Sequence, residues 1–286
     1  MNKFFPIVTV LLVIIAVWYA AAIKMNAPWV YDQAARAEEQ VPAFDQVAKL
    51  TMNQDRPVLP TPHQVVTELV KSTLGMSVNS KKSLVYHAWV TISGTLVGFA
   101  VGTALGILLA VGIVYNRAME MSVLPWAIAS QMVPIIALAP MLAVVMNAVG
   151  ATPIMTKAVI SAYLSFFPVV VGMVKGLRSP DAMQLDLLQT YAAPGPAVFW
   201  KLRLPSSMPY FFASIKVGIA ASLVGAIVAE LNQQAGLGAR LLQGSYYGQT
   251  TQIWAALFLS AILAAVLVML AGRIERSVLF KMGMAR

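Results

Sequence analysis

Residues 179–209 read SPDAMQLDLLQTYAAPGPAVFWKLRLPSSMP, the longest polar interruption in the second half of an otherwise very apolar chain. Ser179 suits a helix N-cap, Pro180 the first helical position, and Asp181 the first turn, where a carboxylate favours the positive helix end. A short helix then runs to about Tyr191. Ala193-Pro194-Gly195 breaks it, and Pro196 starts a second helix with Val198, Phe199 and Leu202 on one side and Lys201 and Arg203 on the other. Pro205 is expected to stop it. The stretch is therefore an elbow of two short amphipathic helices between two membrane-length segments.

Composition fixes the class around that elbow. Hydrophobic residues make up 59% of the chain and charged residues 11%, with a mean hydropathy of +0.75. Soluble domains carry about 25% charged residues, so this is a polytopic, all-α membrane protein. The net charge of +9 is then read first as topology, and nucleic acid is not an expected partner. The absence of cysteine excludes disulfides and thiolate chemistry.

Outward toward the N-terminus, Phe5 to Ile23 is an apolar run longer than the h-region of a signal peptide, about 7–15 residues, and reads as a retained span. Lys24 to Lys82 is hydrophilic and of mixed charge, with seven Lys/Arg against six Asp/Glu. Within it Thr61-Pro62-His63-Gln64 has the form of a capped helix start. The helix that follows is either an interfacial anchor or a docking surface for a soluble partner. Ala88 to Tyr115 is uncharged, and Gly94, Gly98, Gly102 and Gly106 form a stripe that lets another backbone come close. Val123 to Gly150 reads as one span broken by Pro134 and Pro140. Pro134 with Gln131 points either to a translocation path or to plain helix kinks.

Ala158 to Val174 leads into the elbow, and a fifth span of about Ser207 to Leu231 leaves it, with a packing ridge at Gly218, Ser222, Gly225 and Ala229. Lys216 and Glu230 on that span lie ~21 Å apart along the axis and cannot pair. Glu230, the only acid expected at membrane depth, reads either as a gating or interface residue or as an interfacial cap. Lys216 is shallow enough to snorkel. Gly236-Leu237-Gly238 opens a polar loop to Gln252, followed by a last span of about Ile253 to Ala271.

About six spans with an inner N-terminus place Lys3, Arg117, Lys175, Arg178, Lys201, Arg203, Arg273, Arg276, Lys281 and Arg286 on the cytoplasmic side. Only Lys157 and Arg240 fall in the short outer loops, and ten against two obeys the positive-inside rule. Both termini and the elbow are then cytoplasmic.

The elbow resembles the cytoplasmic coupling loop of ABC importer permeases. Their motif, Glu-Ala-Ala, three residues, Gly and a later Leu-Pro, falls on Asp186, Leu187, Leu188, Ala192 and Leu204-Pro205. A second motif, an acid ending the fifth helix before a re-entering Gly-Leu-Gly, falls on Glu230, Gly236, Leu237 and Gly238. Leu59-Pro60-Thr61-Pro62 is similar to an elbow of the nitrate, sulfonate and taurine branch. The resemblance covers about residues 58–275 and implies a type I ABC importer permease fold in the bacterial inner membrane. Its parts would be an N-terminal helix (1–23), a periplasmic segment (24–85), a five-helix core (86–275) with the coupling loop at 178–205, and a tail (276–286).

The resemblance further implies that Asp186, Gln189, Thr190, Tyr191, Ala192, Ala193, Pro194, Gly195, Phe199, Lys201, Arg203 and Pro205 contact a cytoplasmic ATP-binding cassette subunit. Gln131, Pro134, Glu230, Gly236 and Gly238 would belong to the path or gate. A periplasmic substrate-binding protein and a second permease copy or paralogue would complete the machine. The solute would be small and organic or anionic, of sulfonate, nitrate or taurine type or a vitamin precursor. The chain itself has no phosphate-binding loop, since no glycine precedes a lysine, so ATP and Mg would be bound by the partner. His63 and His87 stand alone, so no catalytic or metal site is expected, and an ion-coupled secondary transporter is the alternative. Asn147 and Tyr163, with Gln131, are candidates to face the cavity.

Overall fold

The computed structural model describes residues 4–38 and 40–284. In chain order its helices are α1 (Phe4–Arg36), α2 (Phe44–Met52), α3 (Pro62–Thr73), α4 (Leu84–Tyr115), α5 (Arg117–Ser130), α6 (Ile135–Ala148), α7 (Pro153–Leu177), α8 (Ala182–Thr190), α9 (Gly195–Val198), α10 (Leu204–Glu230), α11 (Leu237–Tyr246) and α12 (Thr250–Lys281). No strand occurs among the described residues. Lys3 and Arg286, counted above on the inner side, lie outside them. Two compact units are distinguished, residues 1–88 with 239–260, and residues 89–238 with 261–286.

In the second unit the small residues set the directions of the helices. A Cβ on Gly98 would lie 2.6 Å from Ala158 O, and one on Gly102 would lie 2.8 Å from Ala162 O. Gly94 meets Lys157 and Gly106 meets Val169, so α4 and α7 run parallel with backbones nearly touching. Lipid offers no hydrophobic drive between helices, and such close approach is what holds them together. On its other side α7 meets α10, with Gly225 against Ile160 and Ser161, and Gly176 against Ser207. The order of these contacts is reversed along α10, which is therefore antiparallel to α4 and α7.

Since α4 and α7 point the same way, the chain between them must cross back. That return is the pair α5 and α6, bent by 101° at residues 131–134. Glu120 of α5 sits 2.9 Å from Arg178 beyond one end of α7, and Ala139 of α6 packs on Ile160 near the other. The pair is thus one broken crossing, interrupted at Pro134 as the sequence suggests, and it takes the form of two helices. Pro134, lacking an N–H, becomes the N-cap residue of α6, whereas Pro140 is carried inside it. With α1, α4, α7, the continuous helix Gly195–Glu230 and α12, six apolar elements can cross a membrane.

Several boundaries differ from the sequence reading. α1 does not end at Ile23, because the polar residues beyond it find partners within the first unit. Buried Asn26 donates to Leu59 O at 2.9 Å and accepts from Val58 N at 2.8 Å. Trp18 Nε1 donates to Pro60 O at 3.0 Å, so the Leu59–Pro60 elbow is pinned to α1. The expected start of α3 is present, with Thr61 N donating to Gln64 Oε1 at 3.0 Å. His87 is buried, with Nε2 2.9 Å from Lys81 O. Residues 237–246, read as loop, form α11, and Gly244 lets it lie against Ile253. α12 runs past Ala271 to Lys281, because Arg273, Glu275 and Arg276 favour helix. Glu275 thereby reaches Lys216 at 2.6 Å.

Candidate functional site

Two features in the second unit concentrate the expected site residues. The first is the elbow. Asp181 caps α8 by accepting from Met183 N at 3.1 Å. Ser179, expected as the cap, instead donates to Gly176 O at 2.7 Å, which moves the helix start two residues on. No residue of α8 is buried. Met183, Leu187 and Tyr191, each one turn apart, are 77%, 56% and 76% exposed and form one apolar ridge. Asp186, Gln189, Thr190, Ala192, Pro194, Gly195 and Lys201 are exposed beside it, while Ala193 and Phe199 are half-buried.

The end of α8 explains the residue at 192. Ala193 N donates to Leu188 O at 3.0 Å and Ala192 N to Gln189 O at 2.8 Å, the paired bonds of a Schellman cap. That cap places Ala192 at φ +48°, where glycine is the unstrained residue. Glycine is what the resembling motif carries there.

Pro205 does not stop the second helix. Residues Phe199–Arg203 form one π turn, and Leu204 N reaches back to Phe199 O. The wider turn lets the ring enter as an early residue of α10, so the elbow continues directly into the fifth span. Arg203, half-buried like Pro205, donates from Nη1 to Leu177 O at 2.9 Å and lies 5.9 Å from the Tyr115 ring centroid. It fastens the elbow to α7.

The second feature is a buried polar knot at the opposite end of α7. Lys157 Nζ stands 3.3 Å from Glu230 Oε1 and donates to Val90 O at 3.1 Å. Glu230 Oε2 accepts from Thr91 Oγ1 at 2.7 Å and from Gly238 N at 3.2 Å, while Leu237 N donates to Thr91 Oγ1 at 2.9 Å. The knot joins α4, α7, α10 and the Gly-Leu-Gly turn. Lys157, expected in an outer loop, is corrected to a buried residue in the second turn of α7. Its chain passes over Gly94, the first glycine of the α4 stripe.

The structure brings Glu230, Gly236 and Gly238 together, since Gly236 at φ +117° folds the turn over the carboxylate. Gln131 and Pro134 sit apart from them at the bend between α5 and α6, Gln131 as the C-cap of α5. Tyr163 donates its hydroxyl to Ser130 O and braces that bend, and Asn147 is exposed near the end of α6. Sequence reasoning missed Lys157 and Thr91 as partners of Glu230. The available signal was the need of a buried carboxylate for a cation and donors.

Residues 102–282 match the family described as binding-protein-dependent transport system inner membrane component. The formylaminopyrimidine transport permease protein ThiX of Halalkalibacterium halodurans is 31% identical over 183 residues, 63% of this chain and 68% of the relative. The riboflavin transport system permease protein RibX of Chloroflexus aurantiacus is 27% identical over 66% of this chain and 70% of its own length. A putative aliphatic sulfonates transport permease protein, SsuC of Bacillus subtilis, is 22% identical over 78% of this chain and 77% of its own.

Proposed function

The chain belongs to the binding-protein-dependent transport system inner membrane components, and on that footing we propose that it is the membrane-spanning subunit of an ATP-driven importer. The observation that carries this reading is the elbow. Met183, Leu187 and Tyr191 form an apolar ridge along α8, which buries none of its residues, and a four-residue turn joins α8 to the membrane-length helix Gly195–Glu230. An exposed apolar ridge marks an interaction surface. Its occupant in this reading is a groove on a cytoplasmic ATP-binding subunit, which supplies ATP and Mg.

The elbow sits on a rigid lever. Motion of the ATPase would pass through the π turn and Arg203 into α10 and α7, and these would rotate as packed bodies. The buried knot at their other end would hold the Gly-Leu-Gly turn in register with both helices, so that Glu230, Gly236 and Gly238 move together as part of the outer gate. Gln131 and Pro134 at the broken crossing would line the path. Two copies, or this chain with a paralogue, would enclose it, and a periplasmic binding protein would deliver the solute. Residues 24–85 would face the periplasm, with both termini inside.

The solute is proposed to be a small organic molecule, of the nitrogen-heterocycle kind named for two relatives or the sulfonate kind named for a third. The test is a mild-detergent pull-down of the tagged chain with mass spectrometry. Recovery of an ATP-binding subunit is expected. A chain that purifies alone, with transport sustained by an ion gradient in the absence of ATP, would overturn the proposal.

A further inference from the structure

We infer that the cleft bounded by α5, α7 and the first turns of α10 holds the headgroup of an anionic phospholipid. The cleft has a volume of about 580 Å³, within the ordinary range for a ligand site. Its lining is ordered by depth. Lys175 and Arg178 stand at the end of α7, and Tyr210 lines the cleft from α10. Val171, one turn deeper on α7, and Leu124 and Ile128 on α5 are apolar. Cations at the mouth and apolar walls behind them match a phosphodiester with its acyl chains.

The charges are available. Lys175 is exposed and has no ion-pair partner among the described residues, its Nζ lying 5.8 Å from the Tyr210 ring centroid. The Tyr210 hydroxyl likewise has no hydrogen-bond partner among them. Arg178 is shared with Glu120 at 2.9 Å on the surface, so it is partly neutralised and still free to offer its other donors. Two cations against one carboxylate leave a positive mouth, and basic pockets between spans at the membrane boundary suit acidic headgroups. The importer reading does not use this cleft, and it is needed here only to place the site in the cytoplasmic leaflet.

The test uses the full-length protein in mild detergent with whatever subunits accompany it, stripped of lipid and titrated with phosphatidylglycerol or phosphatidylcholine under native mass spectrometry. Phosphatidylglycerol is expected to bind at least fivefold more tightly. Lys175→Gln should weaken it by about fivefold, the worth of one surface cation, and leave phosphatidylcholine unchanged. Because Lys175 is exposed, thermal unfolding of that variant should match the parent, and Tyr210→Phe serves as a second variant with a smaller loss. No preference between the lipids, or a preference that survives Lys175→Gln, overturns the inference. So does displacement by glycerol phosphate at the same concentration, which would assign the cleft to a soluble anion. The ATP-binding subunit is scored in the same preparation, so its absence marks failure of the importer reading separately from the lipid result.

Discussion

Lys157 and Glu230 form an ion pair at 3.3 Å, with side chains 4% and 0% exposed, between the start of α7 and the end of α10. Taking both charges out of water is costly, and their attraction offsets it only because Val90 O, Thr91 and Gly238 N complete the hydrogen bonding. Breaking one side leaves a buried charge alone. Lys157→Met should destabilise the protein by about 3–5 kcal/mol, read as a fall in unfolding temperature in detergent. Adding Glu230→Gln should recover part of that loss, because the uncharged amide keeps an acceptor for Thr91. Losses that simply add would mean the two residues do not act as a pair.

Gly236 is confined both by contact and by its backbone angle. A Cβ there would lie 2.0 Å from Glu230 Cδ, and φ is +117°. Gly236→Ala should therefore displace the turn and abolish transport. Gly150 provides the control, since it has φ +72° but nothing within 4 Å of an added Cβ. Gly150→Ala should cost only the backbone strain, about 1–2 kcal/mol, and leave transport intact. Equal effects in a reconstituted uptake assay would remove the case for a specific role of the 236 turn.

The crossings were legible because membrane length and a four-residue glycine spacing are one-dimensional signals. The stripe Gly94 to Gly106 needed no knowledge of its partner to be read as a packing face. What remained hidden depends on which polar groups meet. Lys157 looked like a loop cation because only the fold shows that Glu230 waits beside it, and the first helix looked as if it ended at Ile23 because the partners of Asn26 lie at residues 58–59. Pro205 looked like a stop because a sequence does not announce a π turn. The elbow motif was visible, but the meaning of its residue 192 is a dihedral angle.

That angle makes a prediction of opposite sign to most. Ala192 holds φ +48°, a conformation disfavoured for a residue with a Cβ by roughly 1–2 kcal/mol. Ala192→Gly keeps the two cap bonds and relieves the strain, partly offset by the greater freedom of glycine in the unfolded chain. The variant should protect the amides of Ala192 and Ala193 from hydrogen exchange more strongly than the parent does. Faster exchange would show that the cap is not under strain.

Arg203 and Lys201 were grouped by their charge, yet their settings differ. Arg203 is tied to Leu177 O at 2.9 Å and lies over Tyr115, whereas Lys201 is exposed. Arg203→Gln should lower the unfolding temperature by loosening the elbow from α7, an effect of about 1.5–3 kcal/mol for a hydrogen bond made by a charged group. Lys201→Gln should leave stability unchanged within about 0.5 kcal/mol. The same fall in both variants would mean that the tie to Leu177 adds nothing to the folded state.

The ridge on α8 separates coupling from folding most cleanly. Leu187 lies at its centre, 56% exposed, on a helix that buries no residue. Leu187→Asp should therefore change stability by no more than about 0.5 kcal/mol, as expected of a surface substitution. At an interface the same change places a charge where the partner offers apolar surface, and loss of a hot-spot contact costs at least about 2 kcal/mol in binding, about thirtyfold. The variant should insert and unfold like the parent but lose most of its recovery of the ATP-binding subunit and its ATP-dependent uptake. Tyr191→Glu should do the same from the end of the ridge. An inserted, stable Leu187→Asp protein that still couples ATP hydrolysis to uptake would show that the ATPase docks elsewhere.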